Sequence, residues 1–233
     1  PGVWNGWKGQ LLRDLYYATE AALRGGRTDE TSVRNQLADR AETARALLAD
    51  RIGPTPQLAA IEAAYWTSFT PETQARHAAA LARNGGQPII VGSNVDAGRS
   101  TTEIIVSAPD RLGLFADLCG ALSAAGANIV AAHLYEAGDD RVFDVFEVQD
   151  SRGQPLGSDH PHALERIVAD LRAAAAGGEG VKKPGKAPAA SRRLAAFIIS
   201  PTVLIDRTAS ADSTVIEVSG RDRPGLLYDI ARE

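Results

Sequence analysis

Two stretches of this chain repeat each other. "SAPDRLGLFADL" covers residues 107–118, and "SGRDRPGLLYDI" covers residues 219–230. Each includes the end of an apolar run that predicts a buried strand. Residues 102–119 aligned on residues 214–231, an offset of 112, give nine identities in eighteen positions. Self-similarity of this kind indicates a duplicated structural unit, so the chain must be explained as more than one copy of the same fold.

The D-R-x-G-L string shared by the copies lies between a predicted strand and a predicted helix. Gly113 and Gly225 allow a tight turn there and leave backbone N–H groups uncovered. A helix N-terminus carries about half a positive charge, so this turn can hold a small anion such as the carboxylate of an amino acid. Asp110 or Asp222 can cap the helix. One copy alone fits a purely structural turn equally well, but two copies with matching flanks favour a ligand-binding unit.

The pattern around the first copy predicts an α+β fold in the order β-α-β-β-α. A last strand at 202–208 would complete the ferredoxin-like β-α-β-β-α-β arrangement. It would follow a connector rich in Gly, Pro, Ala and Lys at about 176–193, interpreted as a solvated loop. Residues 214–219 are expected to pair with residues 203–207, and residues after Gly225 are expected to be poorly packed or to use the surface of another molecule. The other predicted elements are two short strands within 87–107, helix 111–125, strands 129–135 and 142–148, a helix from 161 to about 176 capped by Asp159, strand 214–219 and a helix after Pro224.

Residues 1–84 predict helices. Trp4, Trp7 and Leu11 recur at helical spacing in a first helix that Gly25-Gly26 ends. The other predicted helices are one opening near Thr28 and running to about Asp50, one over Leu58–Phe69, and one beginning at Pro71 after Thr70 and ending near Asn84.

Charge and composition exclude several classes of function. The formal net charge is -4 and the pI about 5.6, which argues against a nucleic-acid partner. No apolar run approaches the ~20 residues of a membrane span, and we expect no secretory signal because no basic segment followed by an apolar one is visible near Pro1. The single cysteine, Cys119, fits a reducing cytosol. The chain begins at Pro1 and contains no methionine, so we expect it to be a piece of a longer polypeptide.

"DRLGLFADLCGALSAAGANIVAAHLYEAGDDRVFDVFEV", residues 110–148, resembles an ACT domain, a regulatory unit that binds amino acids. The resemblance covers about 102–210 and places Asn128 where such domains contact their ligand. The second copy has the fuller D-R-P-G-L-L form, whereas the first has Leu112 and Phe115 in place of proline and leucine, so we expect the second to be the stronger site. The implied ligand-binding residues are Asp110, Arg111, Leu112, Gly113, Leu114, Phe115 and Asn128, with Asp222, Arg223, Pro224, Gly225, Leu226 and Leu227 in the second copy.

"VWNGWKGQLLRDLYYATEAAL" and "YWTSFTPETQARHAAALAR" resemble the segment before the tandem ACT domains of the bifunctional PII uridylyltransferase/uridylyl-removing enzyme family. The resemblance implies a cytoplasmic parent enzyme that uses Mg²⁺ or Mn²⁺, acts on PII and senses L-glutamine, with possible ACT–ACT pairing. The implied domains are a helical segment at 1–86, a first ACT domain at 87–210 and the start of a second at 211–233.

The catalytic motifs of that family are missing from the sequence. The transferase needs Gly-Ser followed by paired aspartates, but Gly92-Ser93 is followed by no D-x-D, and we interpret it as a turn. The hydrolase needs an adjacent His-Asp pair, and none of the histidines, His77, His133, His160 and His162, precedes an aspartate. We therefore expect no metal site in this chain and no activity from this chain alone. Two alternatives stay open: an ACT-type sensor of another regulatory protein, and an interaction scaffold that binds no ligand.

Overall fold

The structure is a computed structural model of the chain and describes residues 30–53, 56–83, 86–177, 200–207, 214–220, 223 and 225–232, with single residues at 9, 12, 16, 19 and 20. Most of the first predicted helix and almost all of the predicted connector lie outside these residues. The helices are α1 Glu30–Ile52, α2 Pro56–Ala59, α3 Ala63–Ser68, α4 Pro71–Arg83, α5 Leu114–Ala124, α6 Pro161–Ala175 and α7 Leu226–Arg232. The strands are β1 Ile90–Asp96, β2 Thr101–Pro109, β3 Asn128–Glu136, β4 Arg141–Gln149, β5 Thr202–Asp206 and β6 Val215–Ser219.

The described helices before the sheet lie where the sequence predicts them, except over residues 58–69. At the start of α4, the Thr73 N–H donates to Thr70 Oγ1 at 3.4 Å, as an N-cap does. The single helix predicted over Leu58–Phe69 is wrong, because the chain forms α2 and α3 instead. Between them the Glu62 N–H donates to the Glu136 carbonyl at 3.0 Å, which takes it out of helical bonding and ties it to the end of β3.

Asp159 does not cap α6. The N-cap position is His160, without a side-chain hydrogen bond to the helix. Asp159 instead accepts a hydrogen bond from the Arg152 guanidinium at 3.1 Å. The helix still begins at Pro161, as predicted, because proline needs no hydrogen-bond partner in the first turn.

The sheet is ferredoxin-like in its antiparallel order, β1-β2-β4-β3, but its edge strand comes from an unexpected place. The prediction that residues 202–208 supply the last strand of this sheet is wrong. The predicted pairing of 203–207 with 214–219 is confirmed, because β5 pairs with β6 in a separate two-stranded sheet. The position beside β2 is taken by β1, which precedes it. A short turn joins the two, and Asp96 Oδ1 accepts the Arg99 N–H there at 3.0 Å. Closing so short a loop costs little entropy, whereas 202–208 would have to return across the whole connector.

The hairpin β5–β6 reproduces the hairpin β1–β2 in register. Val91 pairs with Val106 in the first hairpin, and the residues 112 positions later, Val203 and Val218, pair in the second. Every pair of β5–β6 follows the same correspondence. The repeated unit therefore begins with a two-stranded hairpin, and the helix with the D-R-x-G-L turn follows it.

Helices cover the four-stranded sheet on both faces. Ile104, Val106 and Phe146 belong to the cluster that packs against α5 and α6. Ile105 and Val145 point the other way, into the cluster formed with α3 and α4. Residues 101–108 of β2 are consequently all buried, polar ones included. The predicted helical segment thus contributes a layer to the same body as the sheet.

The second copy packs against the first. Leu227 and Tyr228 of α7 are half-buried against the core cluster of the first unit, but no residue of α7 is fully buried, so the packing after Gly225 is partial. The hairpin β5–β6 remains exposed, with Val203 and Ile216 at 63% and 60% of full accessibility. None of the helices in the described part of the chain is long and apolar enough to cross a membrane.

Candidate ligand-binding site

A cavity of about 500 Å³ lies between α5, β3 and α7, where the two copies meet. We call it the junction cavity. Its volume is in the range of roughly 300–1,000 Å³ typical of small-molecule sites. Its walls are mostly apolar, as such sites usually are. The lining residues used below are Phe115, Cys119, Asn128, Arg223, Gly225 and Leu226.

The two D-R-x-G-L turns have the same backbone geometry. Gly113 and Gly225 both have φ of 79°, in the left-handed region that favours glycine. In each turn the leucine N–H after the glycine donates to the arginine carbonyl three residues earlier. The two bonds are Leu114 N–H to Arg111 O at 3.2 Å and Leu226 N–H to Arg223 O at 3.1 Å. The second copy therefore forms the same strand-to-helix turn as the first.

The arginines of the two turns have different surroundings. Both reach an aspartate in the following helix, Arg111 to Asp117 at 2.6 Å and Arg223 to Asp229 at 2.5 Å. Arg111 also donates to the Ala174 carbonyl at 2.6 Å, at the end of α6, where this carbonyl also accepts the Gly177 N–H at 3.0 Å. The first turn is thereby fixed to α6, while Arg223 faces the junction cavity.

The structure brings together part of the predicted ligand-binding set. Asn128 and Phe115 of the first copy line the junction cavity with Arg223, Gly225, Leu226 and Leu227 of the second. Five predicted residues are not among its lining: Asp110, Arg111, Leu112, Gly113 and Leu114. Asp222 and Pro224 lie outside the described residues. A ligand in this cavity would thus contact the second turn and the first copy's strand β3.

The predicted capping role of Asp110 is wrong. The N-cap of α5 is Gly113, and no side chain bonds the helix there. The backbone N–H of Asp110 instead donates to the Asp140 carbonyl at 2.7 Å. This bond fixes the turn to the loop between β3 and β4.

Sequence reasoning missed a bulge in β3. The pairing with β4 shifts between Ile129 and Ala131, so Val130 is an extra residue in the strand. Residues 127–132 all line the junction cavity. Because β3 is also an edge strand, it presents unpaired backbone groups on its outer side. Those groups can hydrogen-bond a polar ligand, and bulges are common beside such sites.

Burial makes Cys119 unsuited to nucleophilic chemistry. Burial, with a smaller contribution from Asp144, raises the pKa of its thiol to about 12. The thiolate is the reactive form, so this cysteine acts as an apolar wall of the cavity. Among the residues that the structure describes, no group of three or more His, Cys, Asp or Glu side chains could hold a metal ion.

Asp144 lies buried near the first turn at a cost in stability. Burial, assisted by the charge of Asp110, raises the pKa of Asp144 from 3.8 to about 7. Its Oδ1 has no hydrogen-bond partner among the described residues. Because the folded pKa lies above the unfolded one, the folded state binds the proton more tightly, so the stability falls as the pH rises from about 4 to about 7 and then stays at the lower value.

We expect Asp144→Asn to stabilise the protein at alkaline pH by about 2–4 kcal/mol and to have little effect near pH 4. Urea unfolding of the wild type and the variant across this range measures the difference. Asp139→Asn, at an exposed position in the neighbouring turn, is the matched control. A stability difference between the wild type and the Asp144→Asn variant that stays constant with pH would contradict the raised pKa.

The comparisons with known proteins agree with the fold. Residues 102–157 match the ACT domain family, so the chain carries an ACT domain. This segment contains β2, α5, β3 and β4. No solved structure matches the chain.

The resemblance to the uridylyltransferase family is confirmed over the whole chain. The chain is 44% identical over 236 residues to the bifunctional uridylyltransferase/uridylyl-removing enzyme of Phenylobacterium zucineum. It is 43% identical to that of Caulobacter vibrioides and 38% identical to that of Azospirillum brasilense. Each alignment covers 100% of this chain and 25% of the relative. The chain thus spans about a quarter of the length of these relatives.

Proposed function

We propose that this chain is the regulatory, glutamine-sensing part of a bifunctional enzyme that adds uridylyl groups to the PII nitrogen-signalling protein and removes them. The similarity of the whole chain to such enzymes supports the assignment of the parent. The ACT domain supports a regulatory role. The observation that carries the sensing role is the junction cavity, where Asn128 and the second D-R-x-G-L turn face one space.

The chemistry of the junction cavity suits an amino acid. A carboxylate would be drawn to the start of α7 and to the Arg223 guanidinium. An α-ammonium group would find carbonyl oxygens along the open edge of β3. The Asn128 side chain can both donate and accept a hydrogen bond, as the amide of glutamine requires. The apolar walls, among them Phe115, would exclude water around these bonds.

Ligand binding in this cavity would act on the packing of the two copies. The cavity lies between α7 and the first unit, so an occupant contacts both. A regulatory signal requires that the ligand bind one arrangement of the copies better than another. A coupling of about 1–3 kcal/mol between glutamine binding and catalysis is typical of such regulation.

We expect L-glutamine to bind this chain with a dissociation constant in the micromolar-to-millimolar range, about -8 to -4 kcal/mol. Isothermal titration calorimetry with L-glutamine measures it, with D-glutamine as the control for stereospecific contacts. Asn128→Leu should weaken binding, since it removes the amide while keeping a side chain of similar size. If no L-amino acid produces saturable heat, the chain is an interaction scaffold and the sensing role is wrong.

A further inference from the structure

A second cavity, of about 240 Å³, lies between α4 and the hairpin β1–β2. We call it the helix–hairpin cavity. Basic residues of α4, Arg76 and Arg83, line one side. Ser93, Asn94 and Glu103 of the hairpin line the other. Its lining includes no residue of either D-R-x-G-L turn, and the proposed glutamine site does not use it.

The one carboxylate in the helix–hairpin cavity is already engaged. Glu103 Oε1 lies 3.2 Å from His77 Nε2 and 3.7 Å from the Arg76 guanidinium. The Tyr65 hydroxyl lies 2.9 Å from His77 Nδ1. Burial raises the pKa of Tyr65, so the hydroxyl keeps its proton. Because a carboxylate only accepts hydrogen bonds, His77 Nε2 carries a proton on the side of Glu103.

The charges that line this cavity therefore sum to a positive value. Glu103 offsets one of the two guanidiniums. Arg83 forms no ion pair within the described residues, and its side chain is exposed to solvent on one side. The Asn94 amide, on the same face of β1 as Gly92, adds a hydrogen-bond donor. Two guanidiniums with a neutral donor are a set that recognises carboxylate or phosphate oxygens.

The second copy differs from the first at the buried carboxylate of this cavity. Glu103 corresponds to Val215 in β5–β6 at the same register, whereas Asn94 corresponds to Asp206, which is also polar. The buried carboxylate is thus specific to the hairpin that α4 covers.

Gly92 also has a local reason to be a glycine. A Cβ at this position would lie 3.1 Å from Ile105 Cγ1 and 3.3 Å from Ala80 Cβ. The glycine lets α4 approach the hairpin closely at the cavity wall. A larger residue would push α4 away and change the distance between Arg83 and Asn94.

We propose that the helix–hairpin cavity binds a small anion through a carboxylate or phosphate group held by Arg76 and Arg83. The Asn94 side chain donates to the same group. The volume is below that of most drug-sized sites, so the ligand is small. Because the cavity walls come from α4 and from β1–β2, the bound anion ties the helical layer to the sheet. The site would report a second metabolite independently of the junction cavity.

Nuclear magnetic resonance of the ¹⁵N-labelled chain tests this proposal. Inorganic phosphate and acetate are titrated separately at constant ionic strength. We expect saturable shifts at the amides of residues 92–94 with at least one of them. Phosphate alone identifies a phosphorylated ligand, acetate alone a carboxylate, and both the shared chemistry. Arg83→Ala should weaken the affinity about tenfold, the loss of one charge-assisted hydrogen bond, and Arg83→Lys by less.

The control is Arg166→Ala, at an exposed arginine of α6 outside the cavity, which should leave the affinity unchanged. Shifts that do not saturate, that map elsewhere, or that are equal in Arg83→Ala and Arg166→Ala proteins would overturn the proposal. So would the absence of shifts with both anions. A negative result with L-glutamine bears only on the junction cavity, so the two proposals fail separately.

Discussion

Replacing Gly225 by valine should weaken L-glutamine binding at least about tenfold, while replacing Gly113 by valine should leave it nearly unchanged. Both glycines have φ of 79°, so a β-branched residue costs about 1–3 kcal/mol of backbone strain at either position. The two variants therefore carry the same local cost. Only Gly225 lines the junction cavity, where the valine side chain would also occupy space meant for the ligand.

Calorimetry on the two variants measures the difference, and circular dichroism confirms that both keep their secondary structure. In the complete enzyme, Gly225→Val should also remove the response of both activities to glutamine while leaving catalysis intact. Equal binding by both variants would mean that the cavity is not the site. Loss of binding in Gly113→Val alone would place the ligand at the first turn, as the first copy's residues 110–115 allow.

Replacing His77 by alanine should lower the free energy of unfolding by about 3–5 kcal/mol, the usual cost of breaking a buried charged contact. His77 is fully buried and joins the Tyr65 hydroxyl to the Glu103 carboxylate. Its ring also packs edge-on against Phe69, with centroids 5.2 Å apart. The truncation removes the His77 contact from the Tyr65 hydroxyl and from the Glu103 carboxylate. It also removes packing from the layer between α4 and the sheet.

Urea denaturation measures this loss, with His162→Ala as the control because that side chain is 96% exposed. The effect should depend on pH. Burial opposes ionisation of Glu103, but the hydrogen bond and charge of His77 outweigh it and lower its pKa below 4.5. The resulting stability is present above the unfolded pKa and lost as the pH falls through the folded one. The gap between wild type and His77→Ala should narrow in acid, and a gap below about 1 kcal/mol at neutral pH would show that the contact is weak.

Local chemistry made most of the fold predictable from the sequence. The D-R-x-G-L turns follow from glycine and a strand-to-helix transition, and both copies form them. Proline at the start of α4 and α6 marks the helix starts correctly. The errors concern choices between distant segments. Nothing in the strand pattern of 202–208 says whether it pairs with β2 or β6, and only the short turn at 97–100 favours β1 in that place.

The site was predictable only in part. A resemblance to ACT domains identifies Asn128 and the second turn, which do share a cavity. The resemblance does not show that Arg111 donates a hydrogen bond to the end of α6, because that contact joins residues 63 positions apart. The bulge at Val130 could not be predicted, because the strand around it is apolar and its sequence does not mark an extra residue. Buried polar residues such as Glu103 look like surface residues of a strand until α4 is placed over them.

The matched register of the two hairpins determines where the chain can be divided for module exchange between relatives. A transplant of residues 90–201 would carry β1 together with β2, and the graft would keep its own sheet edge. A transplant of residues 102–213, the boundaries suggested by the D-R-x-G-L alignment alone, would leave β1 behind and import β5, which pairs with the following strand. Chimeras cut before the hairpin should fold, and those cut between its strands should expose an unpaired β2.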